Sequence, residues 1–136
     1  MPKINWEESF SMNDDEIDNQ HKKWLSIINT LHDCLMSGDP EEINTSSIKT
    51  MKSMIDYAVL HFSYEEEYME RINYPGLAKH RDIHAGFLKM IREQYTDLKS
   101  GKKILSTELM LMLNNWLKNH ILVEDKKYSL YADSKK

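Results

Sequence analysis

Two short stretches, His61-Phe-Ser-Tyr-Glu65 and His80-Arg-Asp-Ile-His84, decide how this chain is expected to fold. Each places two metal-ligand residue types four positions apart. On an α-helix, four residues turn the chain by about 400°, so the second side chain lies about 40° from the first, one turn along. Two such side chains can converge on one ion or on adjacent ions. A single pair of this kind is weak evidence for a metal site, because surface helices carry many His and Glu residues. The two pairs gain weight only if other helices supply matching residues.

The composition fits a globular helical domain. The chain has 136 residues, of which 40% are hydrophobic and 29% charged, and only four glycines and three prolines, which argues against a loop-rich β fold. The net charge is −4 with scattered Lys and Arg, so we expect no nucleic-acid partner. No apolar run approaches the ~20 residues that span a bilayer, so we expect no membrane insertion. Cys34 is the one cysteine and no apolar signal segment is evident, so we expect a cytoplasmic protein.

Apolar residues that recur every three or four positions predict four amphipathic helices. The helices are placed at about 14–37, 46–71 and 77–98, with a fourth that begins near Ser106. Gly38-Asp39-Pro40 and Tyr74-Pro75-Gly76 are expected to end the first and second helices. Short connections between amphipathic helices favour an all-α, up-down-up-down antiparallel four-helix bundle.

The domain is predicted to occupy residues 1–136, with an extended N-terminal arm over 1–16 and the four-helix bundle over about 17–131. The arm shows no helical period. Its apolar residues Trp6, Phe10 and Met12 are expected to hold it against the core.

The candidate ligands gather at one end of this predicted bundle. They lie near the start of the first helix, the end of the second, the start of the third and the end of the fourth. In an antiparallel bundle these four places coincide, and nothing in the periodicity required that agreement. The candidates are His21, His61, Glu65, His80, His84, His120 and a carboxylate at Glu124 or Asp125.

This constellation predicts a metal site. One His on an apolar face is usually a satisfied core residue, but five His at one level have few polar neighbours to pair with. Seven ligands exceed the about four that zinc takes, and calcium or magnesium would prefer oxygen to imidazole. Two transition ions bridged by carboxylates fit better, and nitrogen and oxygen donors suit iron, manganese or zinc.

The motifs Ile17-Asp18-Asn19-Gln20-His21, His61-x-x-x-Glu65, His80-x-x-x-His84 and His120-x-x-x-x-Asp125 resemble those of the hemerythrin family, specifically single-domain bacteriohemerythrin. The resemblance spans nearly the whole chain. It implies two non-haem iron ions per chain, bridged by an oxo or hydroxo group and by two carboxylates, Glu65 and Asp125. It further implies one iron held by three histidines and one held by two, with an open position for O2. The three are His80, His84 and His120, and the two are His21 and His61.

The choice of Asp125 conflicts with regular helix geometry. Asp125 is five residues after His120, about 140° round an ideal helix, whereas Glu124 occupies the better-placed fourth position. The resemblance favours Asp125, which requires a local widening of the π type.

Apolar residues within a turn of the ligands predict a dry wall around bound O2. They are Trp24, Leu25, Phe62, Trp116, Leu117 and Ile121. Trp24, Leu25 and Phe62 are expected beside the iron of His21 and His61, where no Ser, Thr or Tyr is an evident proton donor. Imidazole-rich ligation favours high-valent iron less than the Glu-rich sites of ferritin-like proteins do, so holding O2 is favoured over activating it.

The leading hypothesis is therefore reversible O2 binding for storage, delivery or sensing, with no enzymatic activity. Two alternatives stay open: a di-iron enzyme (an oxidase, a peroxidase or an NO-scavenging protein) and a purely helical interaction module. Expected partners are O2 and either an electron-donating reductase or an O2-consuming membrane enzyme.

Overall fold

Four long helical segments with short connections form an antiparallel up-down-up-down bundle, as the sequence predicts. The computed structural model describes residues 3–135, so residues 1 and 2 of the predicted arm and residue 136 of the predicted domain lie outside it. The α-helices are α1 (Asp15–Met36), α2 (Pro40–Arg71), α3 (Leu77–Lys99), α4 (Thr107–Asn119) and α5 (Lys126–Ser134). The described residues contain no strand.

The fourth segment of the bundle is interrupted by a π-helix. The π-helical segment His120–Asp125 follows α4 directly and is followed directly by α5, so the three run as one continuous rod. This rod ends at Ser134, a little beyond the predicted end near residue 131.

The second helix begins at Pro40, not near residue 46 as the sequence suggested. The Asp39 side chain caps this helix by accepting a hydrogen bond of 3.1 Å from the backbone N–H of Glu41. Proline fits the first helical turn, because its fixed φ suits the helix and its missing N–H would have no partner there. Gly38-Asp39-Pro40 therefore both ends α1 and starts α2, and Gly38 supplies the left-handed turn with φ of 82°.

The N-terminal arm lies against the bundle and is extended apart from one 3-10 turn at Glu8–Phe10. Phe10 and Met12 are buried in the core, and Trp6 is half-buried with its ring centroid 5.7 Å from that of Phe10. The backbone N–H of Ile4 donates to Asn29 Oδ1 over 3.0 Å. At the other end of the arm, Ser129 Oγ donates to the Met12 carbonyl over 3.0 Å, which joins the arm to α5.

Among the described residues, none of the helices has an apolar stretch of the length needed to span a bilayer.

The interior of the bundle is apolar along most of its length and becomes polar at one end. The polar end contains the N-terminal part of α1, the C-terminal part of α2, the start of α3 and the π-helical segment.

Candidate metal centre

Seven ionisable side chains converge inside the polar end of the bundle. Each is at most 2% exposed to solvent. They are His21 on α1, His61 and Glu65 on α2, His80 and His84 on α3, and His120 and Asp125 in the π-helical segment. All seven positions singled out from the sequence are therefore brought together.

Three histidines direct their Nε2 atoms towards one another. The Nε2 atoms of His84 and His80 lie 3.1 Å and 3.3 Å from Nε2 of His120. Neighbouring ligands of a transition ion that each lie about 2.1 Å from it are about 3.0 Å apart. The spacing of these nitrogens therefore matches three ligands directed at one cation.

Two further histidines, His21 and His61, form a second group beside the first. Their ring centroids are 4.7 Å apart. Their Nε2 atoms both face Glu65 Oε2, at 3.6 Å for His21 and 3.3 Å for His61.

Each carboxylate directs its two oxygens towards different histidine groups. Glu65 Oε1 lies 3.0 Å from His84 Nε2, whereas Oε2 faces the pair His21 and His61. Asp125 Oδ1 lies 3.1 Å from Nε2 of both His80 and His120, whereas Oδ2 lies 3.1 Å from His21 Nε2. Two sets of potential ligands follow, of five and four residues, and both contain Glu65 and Asp125.

The π-helical segment is what turns Asp125 inward. A π-helix is bonded from residue i to i+5, which returns the fifth residue to the face of the first. Asp125 is accordingly buried beside His120. Glu124 instead points outward and pairs with Lys127 Nζ at 3.2 Å.

Several buried polar atoms of the site have no hydrogen-bond partner within the protein. They are both ring nitrogens of His21, His61 Nε2, His120 Nδ1, Glu65 Oε1 and both carboxylate oxygens of Asp125. Burying such groups unpaired costs about 1–3 kcal/mol each, and more for charged groups. Cations between the two histidine groups would satisfy the inward-facing atoms, so the residues present fit a metal bound through nitrogen and oxygen.

Without a cation, the carboxylates of the site are compensated by protonated histidines. Burial opposes the charge on His21 and His120, but contacts with Asp125 and Glu65 outweigh it and raise their pKa values to about 9 and about 10. Burial prevails at His61 and lowers its pKa. Burial also opposes the charge on Glu65, but the neighbouring imidazoles, led by His61, hold its pKa well below the usual value. The anionic carboxylate that results is the form that binds metal.

The outward ring nitrogens of two histidines have side-chain partners that sequence reasoning did not assign. His61 Nδ1 donates to Gln20 Oε1 over 2.7 Å, and His84 Nδ1 donates to Glu66 Oε2 over 2.8 Å. A proton held on Nδ1 leaves the Nε2 lone pair of each ring free to face the interior.

Comparison with known proteins agrees with this geometry. The family model "Hemerythrin HHE cation binding domain" matches residues 12–130. The chain belongs to the hemerythrin family. It is 33% identical over 124 residues to a bacteriohemerythrin from Stenotrophomonas maltophilia (strain R551-3), covering 91% of this chain and 78% of that protein. It is also 30% identical over 125 residues to a hemerythrin-like protein from Naegleria gruberi, covering 92% and 90%.

The solved structure of a wild-type hemerythrin superposes with a TM-score of 0.84 at 29% identity, over 94% of this chain and 96% of that one. The resemblance inferred from the motifs is thus confirmed. Membership of the hemerythrin family and the buried His, Glu and Asp cluster together imply a protein that binds non-haem iron.

Three aromatic residues of the predicted wall contact histidines of the hemerythrin site. Trp24 contacts His61 edge-on with ring centroids 5.6 Å apart, and Trp116 stacks on His120 at 4.5 Å. Phe62, expected beside His21 and His61, lies with its ring centroid 6.0 Å from that of His61. Phe62 also stacks on His84, with centroids 3.8 Å apart and planes within 8°, a contact that the sequence did not indicate.

The remaining members of the predicted wall, Leu25, Leu117 and Ile121, are buried in the bundle core. Whether they border bound O2 stays a prediction.

Tyr128 is a site residue that the sequence analysis missed, and its position contradicts the expectation that no Ser, Thr or Tyr near His21 and His61 is an evident proton donor. Its buried hydroxyl donates a 2.9 Å hydrogen bond to Glu65 Oε2, the oxygen that faces His21 and His61. Burial and the Glu65 charge raise the pKa of Tyr128 well above its usual value, so the phenol keeps its proton. The sequence did contain a signal for Tyr128. It lies three residues after Asp125, a spacing that places both side chains on the same face of a helix.

We expect Tyr128→Phe to keep its metal but to lose about 1.5–3 kcal/mol of unfolding free energy, the usual worth of a hydrogen bond to a charged group. Chemical denaturation of the iron-loaded protein measures this change. Tyr131→Phe is the matched control, because the half-buried Tyr131 hydroxyl donates only to the Asn73 carbonyl, over 3.1 Å. Equal stability of the two variants would show that the buried bond to Glu65 contributes no more than the bond of Tyr131 to Asn73.

Proposed function

We propose that the chain binds O2 reversibly at two iron ions bridged by Glu65, Asp125 and an oxo or hydroxo group. The observation that carries this proposal is the way each carboxylate divides its two oxygens between the two histidine groups. A carboxylate serving a single ion would direct both oxygens to one group. When bound, the irons supply the electrons and the affinity that hold O2.

The two histidine groups suit different tasks. We assign His80, His84 and His120 to one iron and His21 and His61 to the other. The second group offers fewer protein ligands, so it is where O2 would find room. Both groups share Glu65 and Asp125.

The chain's own residues favour holding O2 over reacting with it. Five imidazoles provide neutral ligands, and the carboxylates provide the only anionic oxygens among the seven. The edge of Trp24 against His61 and the ring of Phe62 against His84 exclude water from two sides of the cluster. Exclusion of water slows the loss of reduced oxygen species from such a site.

A di-iron enzyme, an oxidase, peroxidase or NO-scavenging protein, is the second candidate, and Tyr128 is the observation that favours it. Its hydroxyl oxygen lies 2.9 Å from Glu65 Oε2 and donates a proton to that oxygen within the site. The raised pKa of Tyr128 makes its hydroxyl a weak acid, so it is a poor proton donor to bound O2. This is why the carrier function ranks first.

The physiological setting follows from the proposed function. A carrier must return its irons to the ferrous state after accidental oxidation, so we propose an electron-donating reductase as one partner. The alternative partner is an O2-consuming membrane enzyme, which would receive the carried O2. A reducing cytoplasm suits this cycle, and it suits Cys34, which forms no disulfide.

We expect the purified protein to contain two irons per chain and to cycle with O2. The reduced protein should be nearly colourless under argon, gain a visible charge-transfer band in air, and lose it again under argon over repeated cycles. Elemental analysis and absorbance spectra make these measurements.

Two outcomes would contradict the proposal in different ways. One zinc per chain would overturn the assignment of the seven residues to two irons. Irreversible oxidation on first exposure to air, with matching release of peroxide or water, would identify an oxidase instead.

A further inference from the structure

One histidine in each group has a side-chain partner on its outward nitrogen, and the two partners differ in charge. His61, in the two-histidine group, donates its Nδ1 proton to the neutral amide oxygen of Gln20 over 2.7 Å. His84, in the three-histidine group, donates its Nδ1 proton to the carboxylate of Glu66 over 2.8 Å. The two distances are nearly equal, so the chemical nature of the acceptor is the main difference between the two supports.

Each support is itself held in place. Gln20 Nε2 donates to Glu16 Oε1 over 3.0 Å, and because only the amide nitrogen can donate there, the amide oxygen must face His61. Glu66 Oε1 lies 3.4 Å from Arg81 Nε, which leaves Oε2 directed at His84. Gln20 is buried, whereas Glu66 is partly exposed at the rim of the site.

The acceptor on the outward nitrogen alters the donor strength of the inward one. A carboxylate draws the Nδ1 proton and makes Nε2 a stronger base towards a metal, whereas an amide oxygen carries no net charge and does so less. A stronger donor binds a cation more tightly and stabilises its higher oxidation state. His84 should therefore be a stronger ligand than His61.

We propose that Gln20 and Glu66 are positioning residues that make the two metal positions unequal. Glu66 strengthens the three-histidine position, which holds its ion tightly and favours the ferric state. Gln20 orients His61 and strengthens it less than Glu66 strengthens His84, so the position assigned to O2 favours the ferric state less. This inference rests on the proposed function, and it names the residues that protect the O2-binding iron from permanent oxidation.

Metal binding by the apoprotein tests the inference without any turnover. Anaerobic titration with Co²⁺ alone, followed by calorimetry and visible absorbance, should resolve a tight and a weaker binding event. Glu66→Gln should weaken the tight event by about 10- to 100-fold, the usual effect of losing an outer-shell partner. The weaker event should stay within about threefold of the parent value.

The reciprocal variant exchanges amide and carboxylate at the other position. The double variant combines Glu16→Gln with Gln20→Glu. The new carboxylate at position 20 would accept the hydrogen bond from His61, and the new amide at position 16 would donate to that carboxylate. This double variant should strengthen the weaker Co²⁺ event about tenfold and leave the tight event unchanged. In the iron-loaded protein, a tenfold shift towards the ferric state would lower the reduction potential of that position by about 59 mV.

A matched control separates donor strength from general disturbance. Glu67→Gln removes a charge from the exposed neighbour of Glu66. It should bind Co²⁺ as the parent does. Circular dichroism of each apoprotein establishes that the helices are retained, and the opposite directions predicted for the two test variants exclude loss of fold as their common cause.

The outcomes distinguish this inference from the proposed function. Two Co²⁺ events whose affinities are unchanged in both test variants, or are lowered together by either one, would overturn the unequal positions while leaving reversible O2 binding intact. A parent protein that binds only one Co²⁺ would overturn both this inference and the two-metal assignment on which it rests.

Discussion

Asp125→Ala is expected to purify with little or no iron. Both Asp125 oxygens face histidine nitrogens, one in each group, and neither has a hydrogen-bond partner that could replace a metal. Removing one partner from a buried charged pair costs about 3–5 kcal/mol, which corresponds to a loss of about 10²- to 10⁴-fold in affinity. Elemental analysis after native purification measures the change, and the visible spectrum should lose its bridged-centre bands.

Glu124→Ala is the control for this experiment. Glu124 lies outside the site and pairs with Lys127, an interaction of a kind worth about 0–1 kcal/mol. Its iron content should equal that of the parent protein. Loss of iron from Glu124→Ala, with retention by Asp125→Ala, would mean that the segment 120–125 remains a regular α-helix in solution and that the ligand register is wrong.

Removal of the metals should lower the melting temperature by more than about 10 °C. A ligand present at 1,000 times its Kd contributes about 4 kcal/mol per site, and a chain of this size shifts by several degrees per kcal/mol. The apoprotein retains some compensation, because the raised pKa values of His21, His80 and His120 leave these rings protonated beside Asp125 and Glu65. We therefore expect the apoprotein to melt early but still to fold.

Thermal unfolding with and without chelation, followed by circular dichroism, makes this comparison, and reloading with iron should restore the higher value. Equal melting temperatures would indicate that the buried cluster holds no metal of consequence in the native protein.

Much of this centre was predictable because its residues lie on regular helices. Pairs such as His61 and Glu65 follow from a spacing of four residues, and their common level follows from the alternating direction of the helices. Asp125 was predictable only through resemblance, since a π-helix has no simple signature in a single sequence. The predicted start of α2 was wrong because Pro40 was interpreted only as part of the signal that ends α1. Asp39, directly before it, is a good N-cap for α2.

The parts that could not be predicted are contacts between helices. Gln20 and His61 are 41 residues apart, and Glu66 and His84 are 18 apart, so only the packing of the helices brings each pair within hydrogen-bond distance. Amphipathic periodicity identifies which face of a helix is inward, but it does not fix the rotation that selects one polar partner from several. The stacking of Phe62 on His84 could not be predicted for the same reason, because it depends on how α2 packs against α3.

The attachment of the N-terminal arm has a consequence for the order of biosynthesis. Lys126 Nζ donates to the Ser11 carbonyl and Ser129 Oγ to the Met12 carbonyl, across separations of 115 and 117 residues. The arm therefore cannot reach its final place until the segment around Lys126 and Ser129 has left the ribosome. His120 and Asp125 are made only shortly before that segment, so the arm and the complete metal site form at nearly the same stage of synthesis.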